Sequence, residues 1–167
     1  MLAKLLGYEG RRPSMAQVGI DLVLSTSEVH AALKRLAASR LISDDLNEGR
    51  PLLESVEEFL VHGVKYLFPA KRGEVTRGML TSYAAPPLGT EIQGADLPPV
   101  WPFPEGEHRG VSLEPLYKTV PIAALRDSRL YEILALLDAL RDGRARERRL
   151  AEQQLKTRLH GQPNARP

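Results

Sequence analysis

Along the first third of the chain, apolar residues recur with the spacing of short amphipathic helices. Met15, Val18, Gly19 and Leu22 stand at i, i+3, i+4 and i+7 behind Ser14, which predicts a helix with the serine hydroxyl as its N-cap. The run Ser25-Thr26-Ser27-Glu28 has the form of a capping box, in which the serine hydroxyl and the glutamate carboxylate each accept from the other's backbone amide. A second helix is therefore predicted from Thr26. Its inner stripe is Val29, Ala32, Leu33, Leu36 and Ala37, and Thr26, Ser27, His30, Ala31, Lys34 and Arg35 lie on or near the opposite face. Leu41-Ile42-Ser43 reads as a brief strand, residues 44–51 as its turn and Leu52-Leu53 as the return. Ser55 with Glu58 forms another capping box, predicting a helix that buries Val56, Phe59, Leu60, Val64 and Leu67 and ends before Pro69.

The middle of the chain changes character. Residues 86–115 include seven prolines and four glycines, which deny a long helix, so an irregular connection with polyproline-like pieces is expected. Ile92, Leu97, Val100, Trp101 and Phe103 make it too apolar for a solvated linker, so it should lie along a protein surface. Helical spacing then returns. Residues 120–125 predict a turn or two, and Asp127 or Ser128 can cap a helix carrying Leu130, Ile133, Leu134, Leu137 and Leu140 in register. Leu150, Leu155 and Leu159 mark a further helix that continues through Gly143 or restarts after it. The expected fold is mainly α with a small β-hairpin, divided as 1–68, an irregular 69–119, a helical 120–160 and a frayed 161–167.

Composition narrows the chemistry. The 167 residues suit one core, and the absence of cysteine removes disulfides, thiolate nucleophiles and cysteine-based zinc sites. His30, His62, His108 and His160 lack ligand spacing, so neither metal nor cofactor is expected. No apolar run approaches a membrane span and no signal-peptide pattern follows the start, so a cytoplasmic protein without a membrane partner is expected. The glycine-containing run 71–78 lacks the ending of a phosphate loop. Ser82-Tyr83 and Glu105-Gly106-Glu107-His108 form no catalytic constellation, so the chain reads as a non-enzyme. The net charge of +2 divides unevenly, with an acidic middle and a basic C-terminal third, which points to a polyanion or an acidic protein surface as partner.

Two short helices joined by a few residues, the second serine-capped with a polar outer face, followed by a two-stranded hairpin, resemble a winged helix-turn-helix. The likeness is to bacterial transcription regulators of the MarR-like group and covers about residues 1–68. It is carried by Ser14-Met15-Ala16-Gln17-Val18-Gly19, by Leu24 through Ala37 and by Arg40-Leu41-Ile42. The resemblance implies double-stranded DNA as partner. It places Gln17, Ser25, Thr26, Ser27, His30, Lys34 and Arg35 at the groove and Arg50 in the wing. Val23 stands where such turns often have glycine, and as a β-branched residue it predicts a wider turn. The wing is weak in phosphate contact, since Asp44, Asp45 and Glu48 surround a single Arg50.

Terminal helices in that group commonly dimerise, so Leu130, Ile133, Leu134, Leu137 and Leu140 are expected to line a homodimer seam. Promoter occlusion by a dimer is the functional expectation. The alternative is a protein-interaction module, such as an antitoxin or adaptor, that docks a partner protein through Trp101-Pro102-Phe103-Pro104. The arginine-rich run 144–149 reads as a solvated helix face, with Arg148 to Glu152 as an i, i+4 pair.

Overall fold

The structure, a computed structural model, describes residues 1–8, 12–92 and 97–161. Among these, seven helices and a small three-stranded sheet make a mixed α/β fold. The helices are α1 (Leu2–Leu5), α2 (Met15–Leu22), α3 (Thr26–Ala38), α4, α5 (Val120–Arg126), α6 (Ser128–Asp142) and α7 (Ala145–His160). Helix α4 is one continuous run of Leu53–Glu58, a π-helical Phe59–Gly63 and Val64–Leu67. The expected fraying of 161–167 falls, Gly161 apart, outside the described residues.

Caps begin the helices where polar side chains can serve orphan amides. The Ser14 hydroxyl accepts from the Gln17 amide at 3.2 Å. Both halves of the Ser25–Glu28 box are formed, at 3.2 Å and 2.8 Å, and Asp127 accepts from the Leu130 amide at 3.0 Å. The Ser55–Glu58 box does not form. Helix α4 starts three residues earlier, at Leu53, because the hairpin closes directly into it: the Leu52 amide donates to the Leu41 carbonyl at 3.0 Å, and Leu52 becomes an N-cap without a side-chain bond.

The turn between α2 and α3 is tight rather than wide. Val23 takes the left-handed conformation, at φ 56° and ψ 48°, and the Leu24 amide returns to the Gly19 carbonyl at 2.8 Å. The glycine the turn needs is thus inside α2: a Cβ at position 19 would lie 2.7 Å from the Leu24 carbonyl oxygen. At the other end of α3, Arg40 is left-handed at φ 54°. The Leu41 amide bonds the Leu36 carbonyl and the Arg40 amide that of Ala37, a Schellman ending built without glycine.

The hairpin after α3 is minimal. Ile42 and Pro51 form one antiparallel bridge, and the Ser43 amide donates to the Arg50 carbonyl at 2.8 Å. Its tip is held against the body by buried Arg12, whose guanidinium donates to the carbonyls of Leu46, Asn47 and Pro13 at 2.9, 3.0 and 2.7 Å.

Where an irregular connection is expected, the described residues of 69–119 form a small sheet. They hold β1 (Arg72–Leu80), β2 (Pro99–Pro102) and β3 (His108–Leu113), closed on one another: β1 runs antiparallel to both others, and β2 and β3 pair in parallel. Proline removes a donor but keeps its carbonyl. Pro98 and Pro99 enter the sheet as acceptors, from the amides of Val111 at 2.9 Å and Thr81 at 3.0 Å.

This β-module packs on α6 through Trp101, which is 1% exposed and therefore core rather than an exposed docking anchor. Its indole Nε1 donates to the buried Asp138 carboxylate at 2.6 Å, and the Thr81 hydroxyl donates to the same oxygen at 2.8 Å. Arg141, which also donates to the Phe68 carbonyl at 2.7 Å, pairs with the other oxygen. Burial pushes the Asp138 carboxyl above its ordinary pKa against the pull of Arg141, Thr81 and Trp101.

Candidate nucleic-acid interface

Helical periodicity divides α3 as its sequence requires. Val29 and Leu33 are buried, while Thr26, Ser27, His30, Ala31, Lys34 and Arg35 are exposed. At about 100° per residue, Ser27, His30 and Lys34 share one strip of the outer face, and Arg35 stands on the adjoining strip with Glu28 and Ala31. Small side chains at Ser27, Ala31 and Ala38 leave the centre of the outer face low, which allows close approach of another surface.

Other predicted residues are engaged locally. The Ser25 hydroxyl is committed to the N-terminus of α3, where it also donates to Glu28 at 2.7 Å. Gln17 is exposed, but its amide donates to Asp21 at 2.9 Å along α2. Arg50 is exposed on the hairpin and is not brought onto the strip shared by Ser27, His30 and Lys34. Glu28, held below its usual pKa by the Ser25 amide and hydroxyl, also accepts from the Tyr117 hydroxyl at 3.0 Å, which ties the segment before α5 to the start of α3.

The flank of α3 away from His30 borders an open apolar groove of about 990 Å³ that sequence reasoning missed. Leu36 and Ala32 of α3, Phe59, Leu60 and Val64 of α4, and Leu134 of α6 contribute to its walls. Leu67, expected in the core, is 65% exposed at this groove, with Phe68 and Tyr117 also half-exposed there. Periodicity places Phe59, Leu60, Val64 and Leu67 together on α4, but only the packing of α3 against α4 shows that they are partly uncovered.

The expected dimer stripe forms part of the groove's floor and part of the core. Leu130, Ile133, Leu134, Leu137 and Leu140 are all buried within the single chain, between 2% and 7% exposed, together with Leu136 and Ala139. Helices α1, α4, α5 and α7 and the turn at residues 82–84 pack around α6, so the stripe is covered mainly by its own chain, with Leu130, Leu134 and Leu137 lining the groove. In the arginine-rich run, the Arg144 amide is capped by Glu147 at 2.7 Å. Glu152 pairs with Lys156 at 2.8 Å, not with Arg148.

Among the described residues no cluster of three or more His, Asp or Glu side chains could hold a metal ion, and no helix is long and apolar enough to cross a membrane. Comparison with protein-family models, curated proteins and solved structures finds no match.

Proposed function

We propose that this chain is a sequence-specific DNA-binding transcription regulator of the winged helix-turn-helix type, acting in the cytoplasm with α3 as recognition helix. The observation that carries the reading is the outer face of α3. Thr26, Ser27, His30 and Lys34 stand exposed on the first turns of a capped helix, braced by α2 through a three-residue turn. A major groove admits one such helix, hydroxyl and imidazole groups can address base edges, and Lys34 can neutralise a phosphate. The hairpin serves as a reduced wing. Its tip is pinned by Arg12 and is rich in carboxylates, so α3 supplies most of the binding.

Two copies bound to half-sites about 34 to 36 Å apart would occlude a promoter. On this reading the copies pair through exposed apolar side chains such as Tyr66, Leu67 and Phe68, not through the buried stripe of α6. Selection of a binding site from random duplex DNA, followed by gel-shift at rising salt, tests the proposal. Retention that falls steeply with salt and weakens in Lys34→Ala/Arg35→Ala supports it, and no retention at low salt overturns it.

The groove beside α3 favours a second reading, a protein-interaction module such as an antitoxin or adaptor that seats an apolar segment of its partner there. Leu36→Asp, in the groove wall, would then abolish partner capture, whereas Lys34→Ala/Arg35→Ala would leave it intact.

A further inference from the structure

The register of the β-module sets Arg77 of β1 directly opposite Arg109 of β3, and both side chains are exposed. Like charges facing each other across an antiparallel pair destabilise it, and sequences normally avoid the arrangement or place a carboxylate beside it. This module does the latter for its other cations: Lys71 pairs with Glu114 at 3.1 Å, and Arg72 is bidentate to Asp142. Arg77 and Arg109 have no ion pair among the described residues, although Glu105 and Glu107 precede β3 in the sequence. The pair cannot separate by slippage. A Cβ at Gly110 would lie 1.9 Å from the Pro98 carbonyl oxygen, and one at Gly78 2.1 Å from that of Trp101, so any shift that put a side chain at either position would break the closed sheet.

We propose that Arg77 and Arg109 form an oxyanion site that takes a phosphate group. Guanidinium groups are planar forks that bind tetrahedral oxyanions through two parallel N–H bonds each, and two forks from adjacent strands, about 5 Å apart at Cβ, can share one phosphate. Its negative charge cancels the repulsion between the two facing cations. The site goes beyond the reading of α3 as a DNA contact. The β-module lies on the face of α6 that carries Tyr131 and Asp138, whereas Leu130, Leu134 and Leu137 face the groove beside α3.

The test uses the full chain, the double variant Arg77→Gln/Arg109→Gln, and Lys34→Ala/Arg35→Ala as a control that leaves the β-module untouched. The probes are inorganic phosphate, followed by ³¹P line broadening, and a labelled 20-base-pair duplex, followed by anisotropy. The expected result is binding of at least one probe by the wild type and by the control variant, weakened tenfold or more by the glutamine pair. The pair should melt at or above the wild-type temperature in chloride, because the repulsion is gone. Binding of phosphate alone assigns the site to a free phosphate-bearing molecule. Binding of the duplex by the control variant, lost in the glutamine pair, assigns it to a nucleic-acid backbone. If the control variant binds neither probe, or the glutamine pair binds phosphate as well as the wild type does, the site does not exist.

Discussion

The indole of Trp101 on β2 and the carboxylate of Asp138 on α6 meet at 2.6 Å in a region that leaves each about 1% exposed. This contact joins the β-module to the helices, beside the Arg72–Asp142 and Tyr131–Leu80 bonds. An acceptor-only carboxylate suits its three partners, because an indole N–H, a guanidinium and a threonine hydroxyl can all donate. Removing it strands all three. Asp138→Ala should therefore cost roughly 3–5 kcal/mol, the range for breaking a buried ion pair, and Thr81→Val, which removes one donor, roughly 1–3 kcal/mol. Urea unfolding followed by the fluorescence of the single tryptophan measures both. A loss below about 1 kcal/mol in Asp138→Ala would mean that the β-module does not depend on this hub.

Gly19 and Val23, on either side of the last turn of α2, should respond with opposite signs. Alanine at Gly19 places a methyl 2.7 Å from a backbone oxygen and must open the turn, at a cost of roughly 1–3 kcal/mol. Glycine at Val23 relieves a left-handed β-branched residue, which costs roughly 1–2 kcal/mol, against a backbone-entropy penalty of roughly 0.5–1 kcal/mol. Val23 is 40% exposed, so only part of a valine's burial is lost. Val23→Gly should raise the melting temperature by a few degrees and Gly19→Ala should lower it. A rise in both would show that the turn is not strained.

These examples show which features local sequence could reveal. Caps at Ser14, Ser25 and Asp127 depend on residues three positions apart, so the helices beginning there could be read from the chain. So could the exposed face of α3, which follows from helical period. The β-module could not. Its prolines contribute carbonyls whose partners lie on other strands, and the burial of Trp101 is decided by Asp138, 37 residues away. The start of α4 likewise depends on the Leu41–Leu52 bond across the hairpin rather than on the nearby Ser55. The α6 stripe was visible as periodicity, but periodicity does not say whether a neighbouring chain or the same chain covers it.

That last distinction can be measured. Leu134→Asp should unfold the protein at physiological temperature, because it buries a carboxylate without a partner where the side chain is 7% exposed in the single chain. The expected outcome is loss of cooperative melting at every protein concentration. A folded monomer in place of a larger wild-type assembly would instead return the stripe to an interface.

Acid should loosen the junction of α1, α2 and α6. Lys4 is buried and lies 2.7 Å from Asp127 and 3.2 Å from Asp21. Burial pushes both carboxyls upward, but bonding to Lys4, with the Gln17 amide at Asp21 and the Leu130 amide at Asp127, carries each below its ordinary range. A carboxyl depressed in the folded state binds fewer protons there than in the unfolded chain. Its stabilisation is therefore complete above the unfolded value, about 3.9, and is lost as pH falls through the lower folded value. Lys4, raised above its ordinary value despite burial, contributes below its unfolded pKa and stops contributing as pH rises through its folded one. The contribution of this cluster should thus be constant through neutrality and fall below about pH 4. In Lys4→Met the acid limb should be shallower and the neutral plateau lower by roughly 1–3 kcal/mol. An unchanged acid limb in that variant would place the acid-sensitive groups elsewhere.

The two basic residues of α3 should not be equivalent in DNA binding. Lys34 shares its strip with Ser27 and His30, whereas Arg35 borders the apolar groove with Ala32 and Leu36. A helix laid in the major groove along the Ser27, His30 and Lys34 strip would bring Lys34 to a phosphate and leave Arg35 at the edge. Each phosphate neutralised contributes about 0.9 to the slope of log affinity against log salt. Lys34→Ala should therefore reduce the slope by close to one contact and weaken all sequences similarly, while Arg35→Ala should change it by much less. His30→Ala and Ser27→Ala should leave the slope intact and alter preference among sites, since base contacts discriminate without releasing counterions. Equal slopes for Lys34→Ala and Arg35→Ala would rotate the docking face towards Ala31, and a slope change at His30 would make it a phosphate contact rather than a reader of bases.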